Sequence, residues 1–337
     1  MTIAIETQDL TKVYPGGILA VDRVTFQVPR GEIFGFLGPN GAGKSTTILM
    51  LATLLRPTGG RAVVAGWDAV RHPLRLRQAI GYVSQDLAVD DNLTGRENLY
   101  LQAKWYGLSQ QEIRERLTEI LAMVNLTDRA DDRVETYSGG MRKRLDIAEG
   151  LIHRPQVLFL DEPTLGLDIQ TRAEIWKYVA HLREAFGMTI FLTTHYMEEA
   201  DRLCDRIGII DRGVLKALDS PDRLKQQLGG GVITLALAGP GPEVDRAATA
   251  IAGLPGVRGV KAQDGRHVVL ADHGEALLPL LFAALKPLPI ALHSLTLTQP
   301  TLDDVYLHHT GRALRDEVEG SKEEAARQRI VMRRTRR

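Results

Sequence analysis

The sequence predicts an α/β chain that carries a smaller α+β unit toward its C-terminal end. Three observations lead there. Short apolar strands recur between helical patterns over residues 1–230. Three consecutive glycines, Gly229-Gly230-Gly231, then interrupt the pattern as a linker would. Beyond them the order reads βαββαβ, which predicts a ferredoxin-like sandwich. A length of 337 residues agrees with two domains of roughly 150 residues each.

Val24–Val28 alternates like a half-buried strand. Glu32–Leu37 predicts a strand leading into a glycine-rich loop, followed by a helix from about Lys44 to Leu55. Ala79–Ser84, Val157–Leu160, Thr189–Thr193 and Ile207–Ile210 predict further core strands. From about Asn92 to Ala148 the pattern is helical without strand runs, as in a helical insertion. Ser220-Pro221 supplies a capping residue and a first-turn proline for a helix reaching Leu228. In the second unit, residues 231–312, strands are expected at Val232–Ala238, Val257–Ala262, His267–Ala271 and Ile290–Thr298. Helices are expected at Glu243–Ala252 and Glu275–Leu285, and Asp264-Gly265 is a hairpin cue. Thr301 with Asp304 predicts a cap for a last helix ending near Gly311. Residues 313–337 read as a charged tail. Arg327–Arg337 holds six arginines and no acid, which predicts a frayed end, with contact to lipid head groups or a partner as the second reading.

Composition narrows the function. Lys+Arg and Asp+Glu both number 42, so no global field favours nucleic acid or anionic lipid. Cys204 is the sole cysteine, which excludes a disulfide within the chain and fits a reducing compartment. The N-terminus shows no signal core, and Ala276–Leu285, interrupted by Pro279, is far short of the roughly 20 residues a membrane helix needs. His308-His309 has no partner ligands at metal spacing. Trp67, Trp105 and Trp176 are too scattered for a stacking platform and are expected to pack.

Gly38-Pro39-Asn40-Gly41-Ala42-Gly43-Lys44-Ser45 fits G-x-x-x-x-G-K-[ST] in full, after a predicted strand and before a predicted helix. Glycines let the backbone wrap a phosphate with its N–H groups inward, and the helix end adds a favourable dipole. Lys44 is expected to reach the β- and γ-phosphates of ATP and Ser45 to ligate Mg²⁺, with Thr46 beside them. The apolar run Val157–Leu160 ends in Asp161-Glu162, which a buried strand would deliver to its ligand-binding edge. Asp161 is placed to hold Mg²⁺, and Glu162 to position or deprotonate an attacking water. A strand-end Asp-Glu alone is usually just solvated; the phosphate loop makes it specific.

Between these motifs stands Tyr137-Ser138-Gly139-Gly140-Met141. Here the sequence resembles the ABC ATPase family, whose signature is Leu-Ser-Gly-Gly-Gln; Tyr137 and Met141 depart from it and Ser138-Gly139-Gly140 is intact. The resemblance covers about Thr2 to Leu228. It implies a P-loop fold with a RecA-like core, a helical subdomain at about 92–148 and an antiparallel β part. It also implies that Ser138–Gly140 binds the γ-phosphate held by an opposite subunit. Gln85 looks like the Q-loop glutamine, contacting Mg²⁺ or water and sensing a membrane subunit. Gly166-Leu167-Asp168 looks like the D-loop at the dimer interface. His195 looks like the switch histidine at the γ-phosphate, and Tyr14 like the aromatic residue against adenine.

Tyr137–Ala148, Thr193–Asp201 and Pro300–Leu307 further resemble the daunorubicin-resistance type of exporter ATPase. The implied function is an ATP-hydrolysing homodimer with two composite sites. It would sit on the cytoplasmic side of the membrane and drive export of a hydrophobic drug or lipid-like compound through a separate integral-membrane subunit. In that reading Lys44, Glu162 and His195 are catalytic, the apolar Leu87-Ala88-Val89 flanks a docking loop, and no nucleic acid is expected. The alternative is a soluble ABC ATPase acting on nucleic acid or ribosomes, favoured only by the arginine-rich tail. The C-terminal unit carries no catalytic constellation, and a dimer-stabilising or regulatory role is expected for it.

Overall fold

Two long strands open the chain, β1 (Ile3–Tyr14) and β2 (Ile18–Pro29), paired antiparallel. The computed structural model describes residues 2–263 and 265–311, and the chain divides into two units, the first running to Leu218 and the second starting at Asp219. Nothing in the sequence pattern had marked β1. Its buried positions are Ala4, Ile5, Thr7 and Leu10, and the break in alternation between Thr7 and Leu10 is made by a register shift at Asp9, whose φ is 47°. A bulge that inserts one residue moves every later side chain to the other face.

The order continues with β3 (Ile33–Leu37), α1 (Lys44–Leu51), β4 (Gly59–Val64), the short β5 (Trp67–Asp68), α2 (Pro73–Ala79) and β6 (Ile80–Val83). Helix α1 stops at Leu51 rather than near Leu55. Thr53 takes a φ of 63°, and the amides of Leu54 and Leu55 turn back onto the Leu49 carbonyl. That left-handed ending closes a helix by satisfying its last carbonyls. Residues 95–151 then form α3 (Gly95–Trp105), α4 (Gln110–Met123) and α5 (Gly139–Leu151), with two 3-10 turns between α4 and α5. Thr94 with Glu97, and Ser109 with Glu112, close capping boxes at α3 and α4. After them come β7 (Val157–Asp161), α6 (Ile169–Phe186), β8 (Thr189–Thr194), α7 (Met197–Leu203), β9 (Arg206–Asp211) and β10 (Val214–Asp219).

Two sheets result in this unit. One is four-stranded, in the order β2-β1-β4-β5; the other is six-stranded, in the order β10-β9-β3-β8-β7-β6. In the second sheet β9, β3, β8, β7 and β6 run parallel. Every residue of β3, β7 and β8 is buried, as a sheet covered on both faces requires. Phe26 of β2 meets Phe34 and Phe36 of β3 and Phe191 of β8 at ring centroid distances of 5.3 to 5.9 Å. These rings close the space between the sheets, each burial contributing about 1.5–3 kcal/mol. Gly35 has no side chain because Cys204 packs over it; a Cβ there would meet Sγ at 2.5 Å. Cys204 is a buried free thiol.

The tryptophans separate. Trp176 is buried and donates from Nε1 to Glu199 at 2.9 Å, and Trp67 is half-buried under Arg75. Trp105 does not pack: it is 79% exposed. Leu99 and Ala103 form the buried stripe of α3, and a residue two places past Ala103 points to the opposite side of a helix.

In the second unit α8 (Pro221–Leu228) leads to β11 (Gly231–Ala238), α9 (Gly241–Ala252), β12 (Val257–Gln263), β13 (Arg266–Ala271), α10 (Gly274–Leu285), β14 (Ala291–Thr298) and α11 (Leu302–Thr310). The sheet order β12-β13-β11-β14 is antiparallel throughout, the split βαβ arrangement of a ferredoxin-like sandwich. Ile233, Leu235, Val269, Leu277 and Leu281 fill its core. Thr301 and Asp304 form the capping box of α11, and Gly311 ends it at φ 81°. Asp264 of the expected hairpin turn and the expected tail at 313–337 lie outside the described residues. Among the described residues no cluster of His, Cys, Asp or Glu could hold a metal ion by itself, His308-His309 included, and no helix is long and apolar enough to cross a membrane.

Candidate nucleotide site

The C-terminal ends of β3, β7 and β8 carry the chemistry. Gly38–Gly43 leaves β3, and Gly43, at φ 104°, turns the chain into α1. That backbone conformation belongs to glycine, and a Cβ on Gly43 would also strike the Ala20 carbonyl at 2.5 Å. A Cβ on Gly38 would lie 2.3 Å from the Ile210 carbonyl, whereas Gly41, at φ 80°, faces open space. Asn40 and Gly41 form the exposed crown, while Pro39 and Ala42 are buried. The loop is thus packed below and open above.

Lys44, only 4% exposed, bends back over this loop. Its Nζ donates to the carbonyls of Gly38 and Pro39 at 2.8 and 3.0 Å and pairs with Glu162 Oε1 at 3.0 Å. Ser45 Oγ donates to Asp161 Oδ1 at 3.2 Å. Glu162 follows β7 at a φ of 47°, a left-handed conformation costing a non-glycine residue about 1–2 kcal/mol. Its amide is held by Thr193, through the carbonyl at 3.1 Å and Oγ1 at 3.0 Å, while the Thr193 hydroxyl donates to Asp161. Glu162 Oε2 meets His195 Nδ1 at 2.7 Å. Tyr14 OH lies 3.4 Å from Thr46 Oγ1 at the mouth.

The adjacent carboxylates diverge electrostatically. Burial pushes Asp161 up, against the Thr193 and Ser45 hydrogen bonds. Burial pushes on Glu162 too, but His195 and Lys44 hold it below the usual range. An ionised Glu162 can only accept, so the His195 proton on that side sits on Nδ1. Acids driven apart in this way mark a site that divides roles between them.

The remaining expected residues stand on other elements. Gln85 is exposed just after β6. Ser138 caps α5, accepting from the Met141 amide at 3.3 Å, and Ser138 and Gly139 are exposed. Asp168 caps α6, accepting from the Thr171 amide at 2.9 Å and its hydroxyl at 2.7 Å. The α5 and α6 starts pack together: a Cβ on Gly140 would meet Thr171 Cγ2 at 2.6 Å. Among the described residues neither Ser138 nor Asp168 hydrogen-bonds to the Lys44–Glu162–His195 cluster. A cavity of about 340 Å³ lined by Arg30, Ile120, Val157 and Phe186 opens at the opposite edge of the sheet and is separate from this cluster.

A family model described as ABC transporter matches residues 21–165. The daunorubicin/doxorubicin resistance ATP-binding protein DrrA of Streptomyces peucetius is 42% identical over 339 residues, covering 98% of each chain. The chain belongs to the ABC transporter family. It is an ATP-binding, ATP-hydrolysing subunit of that family. Among solved structures, cbiO1 from Clostridium perfringens, part of the ABC transporter complex cbiONQ, superposes with a TM-score of 0.63 at 28% identity, covering 66% of this chain and 91% of that one. The dimeric ATP-binding cassette MJ0796 in a post-hydrolysis state bound to ADP and Pi gives 0.58 at 28% identity, covering 64% and 98%. The fold of the first unit is that of an ABC ATPase cassette.

Several residues of the cassette escaped sequence reasoning. Thr193 braces both carboxylates; its only signal is a place two residues before His195. Glu199, fully buried, accepts from Thr164 at 2.8 Å and from Trp176. On α5, burial pushes Glu149 up to about 7, and neighbouring Asp146 adds repulsion. A carboxyl raised on folding adds stability that is complete below its unfolded value, near 4.5, and lost as pH rises through 7. Glu149→Gln removes that loss. Its stability relative to the unmodified chain is expected to rise by up to about 3 kcal/mol between pH 5 and pH 8, read from thermal unfolding midpoints.

Proposed function

We propose that two copies of this chain clamp two ATP molecules, each between Lys44 of one copy and Ser138–Gly140 of the other. We infer that the cycle exports a hydrophobic drug or lipid-like compound through a separate integral-membrane subunit, from the cytoplasmic face. The bonded cluster of Lys44, Ser45, Asp161, Glu162 and His195 at the mouth of a phosphate loop carries this reading. The likeness to a drug-resistance ATP-binding protein over nearly the whole chain supports the substrate class.

The cluster suits Mg-ATP chemically. Ser45 Oγ and Asp161 Oδ1 are hard oxygen donors of the kind Mg²⁺ takes, and they already lie within hydrogen-bonding distance. Held by Ser45 and Asp161, such an ion would supply positive charge against the phosphates. Lys44 would exchange two backbone carbonyls and Glu162 for phosphate oxygens. That exchange has a consequence for Glu162: losing the ammonium removes one of the interactions that lower its pKa. The carboxylate thus becomes a better proton acceptor when the phosphate is in place. His195, oriented by Glu162, would present its other nitrogen toward the γ-phosphate. Gln85 would stand beside the ion and the water, Tyr14 against the adenine, and Asp168 at the seam between copies.

The test is a tagged Glu162→Gln chain purified from native membranes with Mg-ATP. A multi-span membrane protein is expected to accompany it in stoichiometric amount, and vesicles holding the pair should transport an anthracycline. A soluble dimer without such a partner, or one carrying nucleic acid, overturns the transport reading.

A further inference from the structure

One ion pair on α5 holds both ends of the loop that carries Gln85. Lys143 Nζ donates to the Ser84 carbonyl at 3.0 Å and to Asp146 Oδ2 at 3.0 Å. The other oxygen of that carboxylate, Oδ1, accepts the Ala88 amide at 3.2 Å. Lys143 and Asp146 are 4% and 3% exposed. Between the two anchors Gln85, Asp86 and Leu87 are exposed. The anchors therefore flank the loop immediately, one residue before Gln85 and one after Leu87.

Helix α5 begins at Gly139, so one rigid element both presents Ser138–Gly140 and grips the Gln85 loop. A buried ion pair is weak evidence for stability, since two apolar side chains can fill the same space as well. Such side chains cannot donate to a carbonyl and accept from an amide at once. The polarity of the two bonds therefore points to a purpose other than packing.

We propose that Lys143 and Asp146 are positioning residues that transmit displacement of the Gln85 loop to Ser138–Gly140, and through them to the nucleotide on the other copy. This rests on the composite-site reading above. The pair touches no nucleotide itself. A partner pressing on the exposed residues 85–87 would move Ser84 and Ala88, and the ion pair would carry that movement into α5.

Bond polarity supplies the test. Lys143→Asp with Asp146→Lys keeps opposite charges together but turns a carboxylate to the Ser84 carbonyl and an ammonium to the Ala88 N–H. Lys143→Met with Asp146→Leu removes both charges and keeps the volume. On the full chain, exchange of the Ala88 amide is expected to accelerate at least about tenfold in either double variant, while Lys143→Arg, which keeps a donor, retains protection. In the complex with its membrane subunit, transport per ATP hydrolysed is expected to fall about fivefold or more, with the ATP turnover of the chain alone kept within about twofold. Wild-type Ala88 protection in the charge-swapped chain overturns the proposal. So does unchanged transport per ATP in a variant whose protection is lost. Should the swap fail to fold, the Met/Leu variant decides by the same two readings. Should equal amounts of Lys44→Met and Ser138→Arg chains recover no turnover on mixing, the composite site proposed above would fall instead, and the exchange result would still judge the tie.

Discussion

Glu162→Gln is expected to cut ATP turnover about 10²- to 10³-fold while ATP affinity stays within a few-fold. The substitution keeps the shape and the hydrogen bond to the His195 side but removes the charge. Two effects then separate. Lys44 loses its carboxylate partner at 3.0 Å, which frees it for phosphate and favours binding. The attacking water loses its proton acceptor, which blocks the chemistry. The variant should accumulate as an ATP-bound dimer visible by sedimentation, and EDTA should dissolve it if, as proposed, Ser45 and Asp161 would hold Mg²⁺ beside the phosphates. Rapid turnover by the variant, or an ATP-bound monomer, would remove Glu162 from the catalytic role.

The second large effect concerns architecture. Lys44→Met and Ser138→Arg are each expected to abolish nearly all turnover as homodimers, the first by losing the phosphate contact and the second by blocking the α5 start. Mixed in equal amounts, they should recover activity. A mixed dimer pairs an intact phosphate loop from one copy with an intact Ser138–Gly140 from the other in one of its two sites. With half the dimers mixed and sites acting independently, about a quarter of the original rate returns, as two-fold symmetry requires. If each chain held a complete site, mixing would restore nothing. The structure motivates the test through the separation of Ser138, which caps its own helix, from the bonded Lys44 cluster.

The two halves of the site differed in how openly the sequence displayed them. The phosphate loop was legible because its residues are contiguous and its chemistry depends on backbone, which glycine spacing reports directly. Asp161 and Glu162 were legible because an unbroken apolar run pointed to them. Thr193 and the Lys143–Asp146 pair were not. Lys143 meets Ser84 across 59 positions and Thr193 meets Asp161 across 32, and no single-sequence pattern encodes which strand end lies beside which helix. The same asymmetry holds for the fold. The buried parallel strands announced themselves as apolar runs, and Thr301, Asp304 and Gly311 bracketed the last helix. Strand β1 was hidden by the bulge at Asp9, since a period of two fails once a residue is inserted. Residue type alone predicts a packed Trp105; its place relative to Leu99 and Ala103 leaves it exposed instead.

That exposed indole makes the chain its own optical reporter. Among the chain's three tryptophans, Trp176 is shielded and bonded to Glu199 while Trp105 stands in water at the end of α3. Emission from the two should differ in wavelength, and the redder component, from Trp105, should yield far more readily than the shielded one to a soluble quencher such as iodide. A partner that covers the end of α3 would shift and protect that component, so docking could be timed in a stopped-flow cell without attaching a dye.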